Sequence, residues 1–181
     1  ALDAIVEAVD CGPEDDVLEI GPGIGTLTVE LAARASRVVA LELDPACVRA
    51  ARRSVAEAGG RAGVDIVEGD ALRIDIEGLG LRDGWIAAGN IPYTITGALL
   101  EHLLTAPRPP ARAVLLVQRE VARRLAAPAG DWSLATVAVR TVAAAERLLD
   151  VPTESFAPPP RVWSSVLRLT PVATLDPAER Q

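Results

Sequence analysis

The sequence predicts an α/β domain with a mostly parallel sheet and helices on both faces. Short apolar runs alternate with helical segments along most of the chain, and those runs are apolar on both sides rather than on one. Glycine-rich or acidic turns close them, as strand-to-helix crossovers require. At 181 residues and 50% hydrophobic content, the chain is long enough for one such domain with a sizeable core.

The chain opens inside what reads as a first helix. Asp16–Ile20 is expected to be a strand, Gly25–Arg34 a helix and Arg37–Leu41 a second strand. Pro45–Ala58 reads as a helix because the fixed φ of proline suits a first turn. Val64–Glu68, Trp85–Gly89 and Ala113–Val117 continue the strands, with a helix over Thr96–Leu104. After Ala127 the rhythm changes: residues 128–131 form a loop including Ala129, and Ser133–Arg147 reads as a helix. Pro158-Pro159-Pro160 is rigid and extended, and Val162–Leu169 is the final strand. No repeat or linker divides the chain, so residues 1–181 are expected to form one domain.

Composition excludes several function classes. No apolar segment is long enough to span a membrane and no signal peptide is visible, so a soluble, cytoplasmic protein is expected. Cys11 and Cys47 stand far apart with no CxxC or histidine nearby, which favours buried thiols over a metal site. His102 is the only histidine and is expected on a helix surface, which leaves a Ser/His/Asp triad without support. The net charge of −7 is uneven: residues 1–100 carry 8 Arg against 17 acids, and residues 101–181 carry 10 Arg against 8. Every basic residue is arginine, the cation suited to bidentate and stacking contacts.

The chemistry-bearing residues fall at strand ends, where open α/β sheets bind ligands. In Asn90-Ile91-Pro92-Tyr93, the Asn90 side-chain oxygen and the Ile91 carbonyl are acceptors, Pro92 stiffens the turn and Tyr93 offers an aromatic face. That set suits the exocyclic amine of adenine, although an ordinary turn with a packed tyrosine has the same sequence. Gly21, Gly23 and Gly25 are spaced G-x-G-x-G after the first strand, so the backbone can approach a ligand closely. Glu42 ends the second strand about 20 residues on, where a carboxylate can accept ribose hydroxyls. Asp70, in Gly69-Asp70-Ala71, closes the third strand and can accept from an adenine amine. Solvated strand-end carboxylates are the plain alternative for Glu19 and Glu42.

Val17–Leu27, Leu41–Asp44, Glu68–Ala71 and Asn90–Tyr93 together resemble a class I S-adenosylmethionine-dependent methyltransferase. Asn-Ile-Pro-Tyr is followed by Val117-Gln118-Arg119-Glu120-Val121-Ala122-Arg123-Arg124-Leu125 and by Ser155-Phe156-Ala157-Pro158-Pro159-Pro160-Arg161-Val162. In that order these motifs resemble the ribosomal RNA adenine dimethyltransferase family, and the small-subunit type more than the erythromycin-resistance methylases. The resemblance implies a Rossmann-like, mostly parallel seven-stranded sheet and dimethylation of two adjacent adenosines near the 3′ end of small-subunit ribosomal RNA. It assigns S-adenosylmethionine to Glu19, Gly21, Gly23, Glu42, Leu43, Asp70, Ala71 and Asn90. Catalysis and target-base stacking fall to Asn90, Ile91, Pro92, Tyr93 and Phe156. Arg119, Arg123 and Arg124 are expected to meet RNA phosphates, with a solvated helix face as the alternative. No metal is implied. The expected partner is small-subunit ribosomal RNA within a partly assembled particle, and the chain is expected to be a monomer.

The resemblance also implies an N-terminal Gly-Gln-Asn-Phe-Leu segment over the cofactor and a C-terminal helical domain, neither of which this sequence contains. Their absence is expected to weaken RNA affinity. Three other readings are a large-subunit adenine methylase, a protein glutamine methyltransferase and a non-catalytic assembly factor. A glutamine methyltransferase carries an Asn-Pro-Pro-Tyr-like turn, where this chain has Ile91.

Overall fold

A computed structural model describes residues 2–60, 63–92, 94–128 and 130–172, so Tyr93 and Ala129 lie outside the described residues. The strands are β1 (Asp16–Ile20), β2 (Arg37–Glu42), β3 (Val64–Glu68), β4 (Ile86–Asn90), β5 (Arg112–Gln118), β6 (Ala143–Val151) and β7 (Ser164–Pro171). The helices are α1 (Leu2–Val9), α2 (Thr26–Ala32), α3 (Pro45–Glu57), α4 (Thr96–Leu104), α5 (Arg119–Leu125) and α6 (Leu134–Arg140). Among the described residues the strands form one sheet in the order β3-β2-β1-β4-β5-β7-β6. β1 to β5 are parallel, and β7 runs antiparallel between β5 and β6.

Alternation along the strands splits the core into two layers, as a period of two requires. Leu18, Ile20, Val39, Leu41, Ala87, Leu115 and Val117 pack with α4 and α5, while Val17, Val38, Ile86, Ala88, Val114 and Leu116 pack with α1 and α2. The chain winds from β1 outward to β3, then returns to β4 on the other side of β1. That reversal opens a crevice at the carboxyl ends of β1 and β4. The two strands meet closely just below it: a methyl group on Gly89 would lie 2.3 Å from the Ile20 carbonyl oxygen, so only glycine fits.

Element boundaries follow the sequence closely until α6. The helix expected over Ser133–Arg147 stops at Arg140, and β6 follows from Ala143. The α6 start carries a capping box between Ser133 and Thr136. Two smaller expectations also change. Both thiols are half-buried rather than buried, and the ring Nε2 of half-buried His102 sits 3.1 Å from the Ile74 carbonyl oxygen. No helix among the described residues is long and apolar enough to cross a membrane.

Candidate active site

The glycine turn after β1 holds Gly21, Gly23 and Gly25 at φ of 70°, 56° and 86°, the left-handed region that other residues rarely enter. It is pinned to β2 by two bonds: Gly21 N–H donates to the Leu41 carbonyl at 3.0 Å, and Gly23 N–H to Glu42 Oε2 at 3.0 Å. The other oxygen of Glu42 accepts from the Leu43 and Asp44 N–H groups at 2.9 and 3.0 Å. Glu42 is therefore no solvated strand end but the clasp of the turn. A carboxylate has about four acceptor positions, so one remains for a ligand, and the Gly23 bond is open to exchange. A methyl group on Gly23 would meet nothing within 4 Å, so the turn faces open space.

Glu19 is the second departure from the solvated reading, being 1% exposed. It shares the α2 face of β1 with Val17, and burial pushes its carboxyl up to about 7; the Thr28 hydroxyl lowers it and the charge of Glu42 raises it. Among the described residues neither Glu19 Oε2 nor the Thr28 hydroxyl has a hydrogen-bond partner. A buried acceptor left unpaired beside a glycine turn fits a ligand that brings a donor or a positive charge.

Asp70 follows β3, whose end is tied to the site by Gly69 N–H donating to the Glu42 carbonyl at 2.8 Å. Asp70 Oδ1 accepts from the Leu72 N–H at 2.9 Å, and Oδ2 lies 3.6 Å from Arg73 Nε. Ala71 packs against the core. Leu43 is 68% exposed beside Glu42, and Ile24 is 65% exposed beside Gly23. The sequence reading missed Ile24, whose signal was an aliphatic residue inside a turn otherwise made of glycine and proline. Together, acceptors at three strand ends and two bare aliphatic side chains suit a flat, amine-bearing nucleoside.

The second part of the site lies across β4. Asn90 is the last residue of β4 rather than the first beyond it. Ile91 is buried in the core, and its N–H donates to the Leu116 carbonyl at 3.1 Å. The segment between β6 and β7 crosses the same rim and brings Phe156, Pro158 and Pro160 opposite Asn90 and Pro92. With Ile91 and Ser164 they line a cleft of about 270 Å³. Phe156 is half-buried against the α1–α2 core layer, so it serves both core and cleft. A larger cleft of about 560 Å³ beside β3 contains none of these groups. The two parts of the site are adjacent: a methyl group on Gly21 would lie 3.5 Å from the Asn90 carbonyl oxygen.

The three arginines of α5 divide. The guanidinium of Arg119 sits 5.0 Å from the Trp163 ring centre. Arg123 is exposed one turn further along the same face. Arg124 instead lines a groove with Leu100, Leu104 and Val139, none of which lines the cleft between Asn90 and Phe156.

A sheet of this order, with one antiparallel strand inserted beside its edge and a glycine turn clasped by the acidic end of β2, defines a Rossmann-like class I methyltransferase. Two solved structures share it. A dimethyladenosine transferase from Plasmodium falciparum is 30% identical with a TM-score of 0.82, covering 94% of this chain and 61% of that one. The 23S rRNA methyltransferase ErmE is 32% identical with a TM-score of 0.84, covering 98% and 70%. The chain belongs to the ribosomal RNA adenine dimethylase family, whose model matches residues 1–179. Among curated relatives, the ribosomal RNA small subunit methyltransferase A of Acidobacterium capsulatum is 42% identical over 174 residues, 94% of this chain and 60% of the relative. The mitochondrial ribosomal RNA small subunit methyltransferase of Arabidopsis thaliana is 40% identical over 172 residues, 94% and 44%. The chain thus spans between 44% and 60% of the length of these two relatives.

Proposed function

We propose that this chain is the catalytic portion of an S-adenosylmethionine-dependent enzyme that dimethylates the exocyclic amines of two adjacent adenosines near the 3′ end of small-subunit ribosomal RNA. The observation that carries the reading is the closeness of the glycine turn to the end of β4, where a side chain on Gly21 would reach the Asn90 carbonyl, so that the turn adjoins a cleft walled by Asn90, Pro92 and Phe156. The relatives named as small-subunit methyltransferases support the choice of RNA. When bound, S-adenosylmethionine supplies an electrophilic methyl group. Glu42 holds its ribose, Asp70 its adenine amine, Leu43 and Ala71 its ring, and Gly21 and Gly23 its methionine part, with Glu19 beneath the turn.

On the target side, Asn90 and the Ile91 carbonyl accept from the adenine amine and draw its lone pair out of the ring toward a tetrahedral geometry. Phe156 stacks on the extruded base, and the resemblance gives Tyr93 the same task. Extrusion costs a few kcal/mol, and stacking at about 1–3 kcal/mol per base offsets it. No side chain is needed as a base, because the nitrogen loses its proton after attack. Positioning alone supplies up to about 7–11 kcal/mol in well-oriented systems. The proposed setting is the cytoplasm, the substrate a partly assembled small-subunit particle, and the active form a monomer.

The test is methyl incorporation from labelled S-adenosylmethionine into small-subunit particles, large-subunit RNA and total protein in parallel. Incorporation as dimethyladenosine in the small-subunit particle is expected. Labelling of large-subunit adenosine, or of protein glutamine, would overturn the substrate. Within the same assay Asn90→Ala should lower single-turnover methyl transfer far more than RNA binding; equal losses would make Asn90 a binding or folding residue.

A further inference from the structure

Arg161, Val162 and Trp163 are three exposed residues in a row, and they lie between Pro160 and Ser164, which both line the base cleft. Scattered exposed apolar side chains are ordinary on a protein surface. Trp163, itself 41% exposed, differs because its ring is held in place. The Arg119 guanidinium lies over it at 5.0 Å, and the Arg119 N–H donates to the Trp163 carbonyl at 2.9 Å. Strand register explains the placement: Gln118, the last residue of β5, pairs with Ser164, the first of β7, so α5 begins against the cleft rim. Arg140 over Trp132 at 5.6 Å is a similar pair, but neither residue adjoins a cleft-lining residue along the chain, as Trp163 adjoins Ser164.

We propose that Trp163, braced by Arg119, is a stacking platform for the nucleotide adjacent to the target adenosine; the inference rests on the proposed RNA substrate. A nucleotide whose neighbour is extruded loses one stacking face, and the indole of Trp163, next along the chain to the cleft-lining Ser164, replaces it. The guanidinium strengthens the platform, since arginine stacks on aromatic rings and attracts phosphate. Arg123 extends the positive charge along the same helix face. Such a platform accepts any base, because every base has a π-face.

The experiment compares wild type, Trp163→Ala and Trp163→Phe on a short RNA with two adjacent adenosines, intact or abasic at the flanking nucleotide. Trp163→Ala should raise KM about 5- to 100-fold with kcat within about twofold, and Trp163→Phe should recover most of the loss. Removing the flanking base should raise the wild-type KM by a similar factor and leave Trp163→Ala unmoved. Intact RNA should also quench a component of tryptophan emission that Trp163→Phe lacks. Methylation by wild type with equal responses of wild type and Trp163→Ala to base removal would overturn the platform and spare the proposed function. Absence of methylation on any RNA would overturn the proposed function and the platform with it.

Discussion

Glu42 does two things with one carboxylate. It clasps the glycine turn through Gly23, and in the proposed cofactor site its remaining acceptor position serves the ribose. Glu42→Ala should therefore lower S-adenosylmethionine affinity by roughly 1.5–3 kcal/mol, the worth of hydrogen bonds to a charged group. It should also speed hydrogen exchange at the Gly23, Leu43 and Asp44 amides. Calorimetry and exchange on the same protein check both parts; unchanged affinity would remove Glu42 from the ribose. Glu19 gives a pH signature. Its carboxyl rises from 4.5 to about 7 on folding, so the folded state holds the proton more tightly than the unfolded one. The stabilisation is complete below pH 4.5 and is lost as pH rises through 7. Glu19→Gln should flatten that slope in denaturation experiments between pH 5 and 8 and raise unliganded stability at pH 8 by up to about 3 kcal/mol. An unchanged slope would mean that the buried acid is already paired.

The α5 arginines are separated by the faces they occupy. Arg119→Gln with Arg123→Gln should weaken RNA binding and flatten its salt dependence, each lost phosphate contact on a single strand reducing the slope by about 0.7. Arg124→Gln should leave the slope unchanged, because that side chain lines the α4–α6 groove. Salt titrations of the double and the single variant distinguish these outcomes. The sequence pattern anticipated the helix but not this division, which depends on where Trp163 returns from a distant strand. β6 was hidden for a related reason. Ala143-Ala144-Ala145-Glu146-Arg147-Leu148-Leu149 is made of strong helix formers and has no β-branched residue. Its strand conformation is imposed from outside by β7, which pairs along its length and bridges Glu146 with Arg168 at 3.8 Å. β1, β2 and β5 were readable because Val, Leu and Ile runs buried on both faces have no helical periodicity to compete. The residues proposed to hold the cofactor stood out because they sit at strand ends within a few residues of a turn. The meeting of Asn90 with Phe156 was not, since 66 positions of chain separate them.

At the end of the sheet away from the site, Asp16 opens β1 and binds Arg82 through its backbone N–H at 2.9 Å and its Nε at 3.0 Å. That bond, more than any other influence, holds the Asp16 carboxyl below its ordinary value of 3.8. A depressed folded value stabilises the protein above the ordinary range, and the contribution is lost as pH falls through the folded value. Arg82→Ala should lower Tm at neutral pH, with the deficit disappearing as pH falls well below 3.8. A deficit that persists in acid would show that the loss is one of packing instead. Because the pair anchors the opposite end of β1, S-adenosylmethionine affinity should be unaffected at temperatures where the variant is folded.

The two walls of the base cleft belong to β4 and to the segment entering β7, with only β5 between them. Adjacent strands lie about 4.7–4.9 Å apart, so β4 and β7, from which those walls rise, are about 9–10 Å apart. Flat rings pile up at about 3.4 Å. One base between two facing side chains takes two of those steps; a pair of bases takes three, which fills the whole gap and leaves no room for the walls. If the substrate is two neighbouring adenosines, they must then be served one at a time, with the strand released and re-threaded between visits. Half-finished products should accumulate when RNA is in excess and disappear when enzyme is.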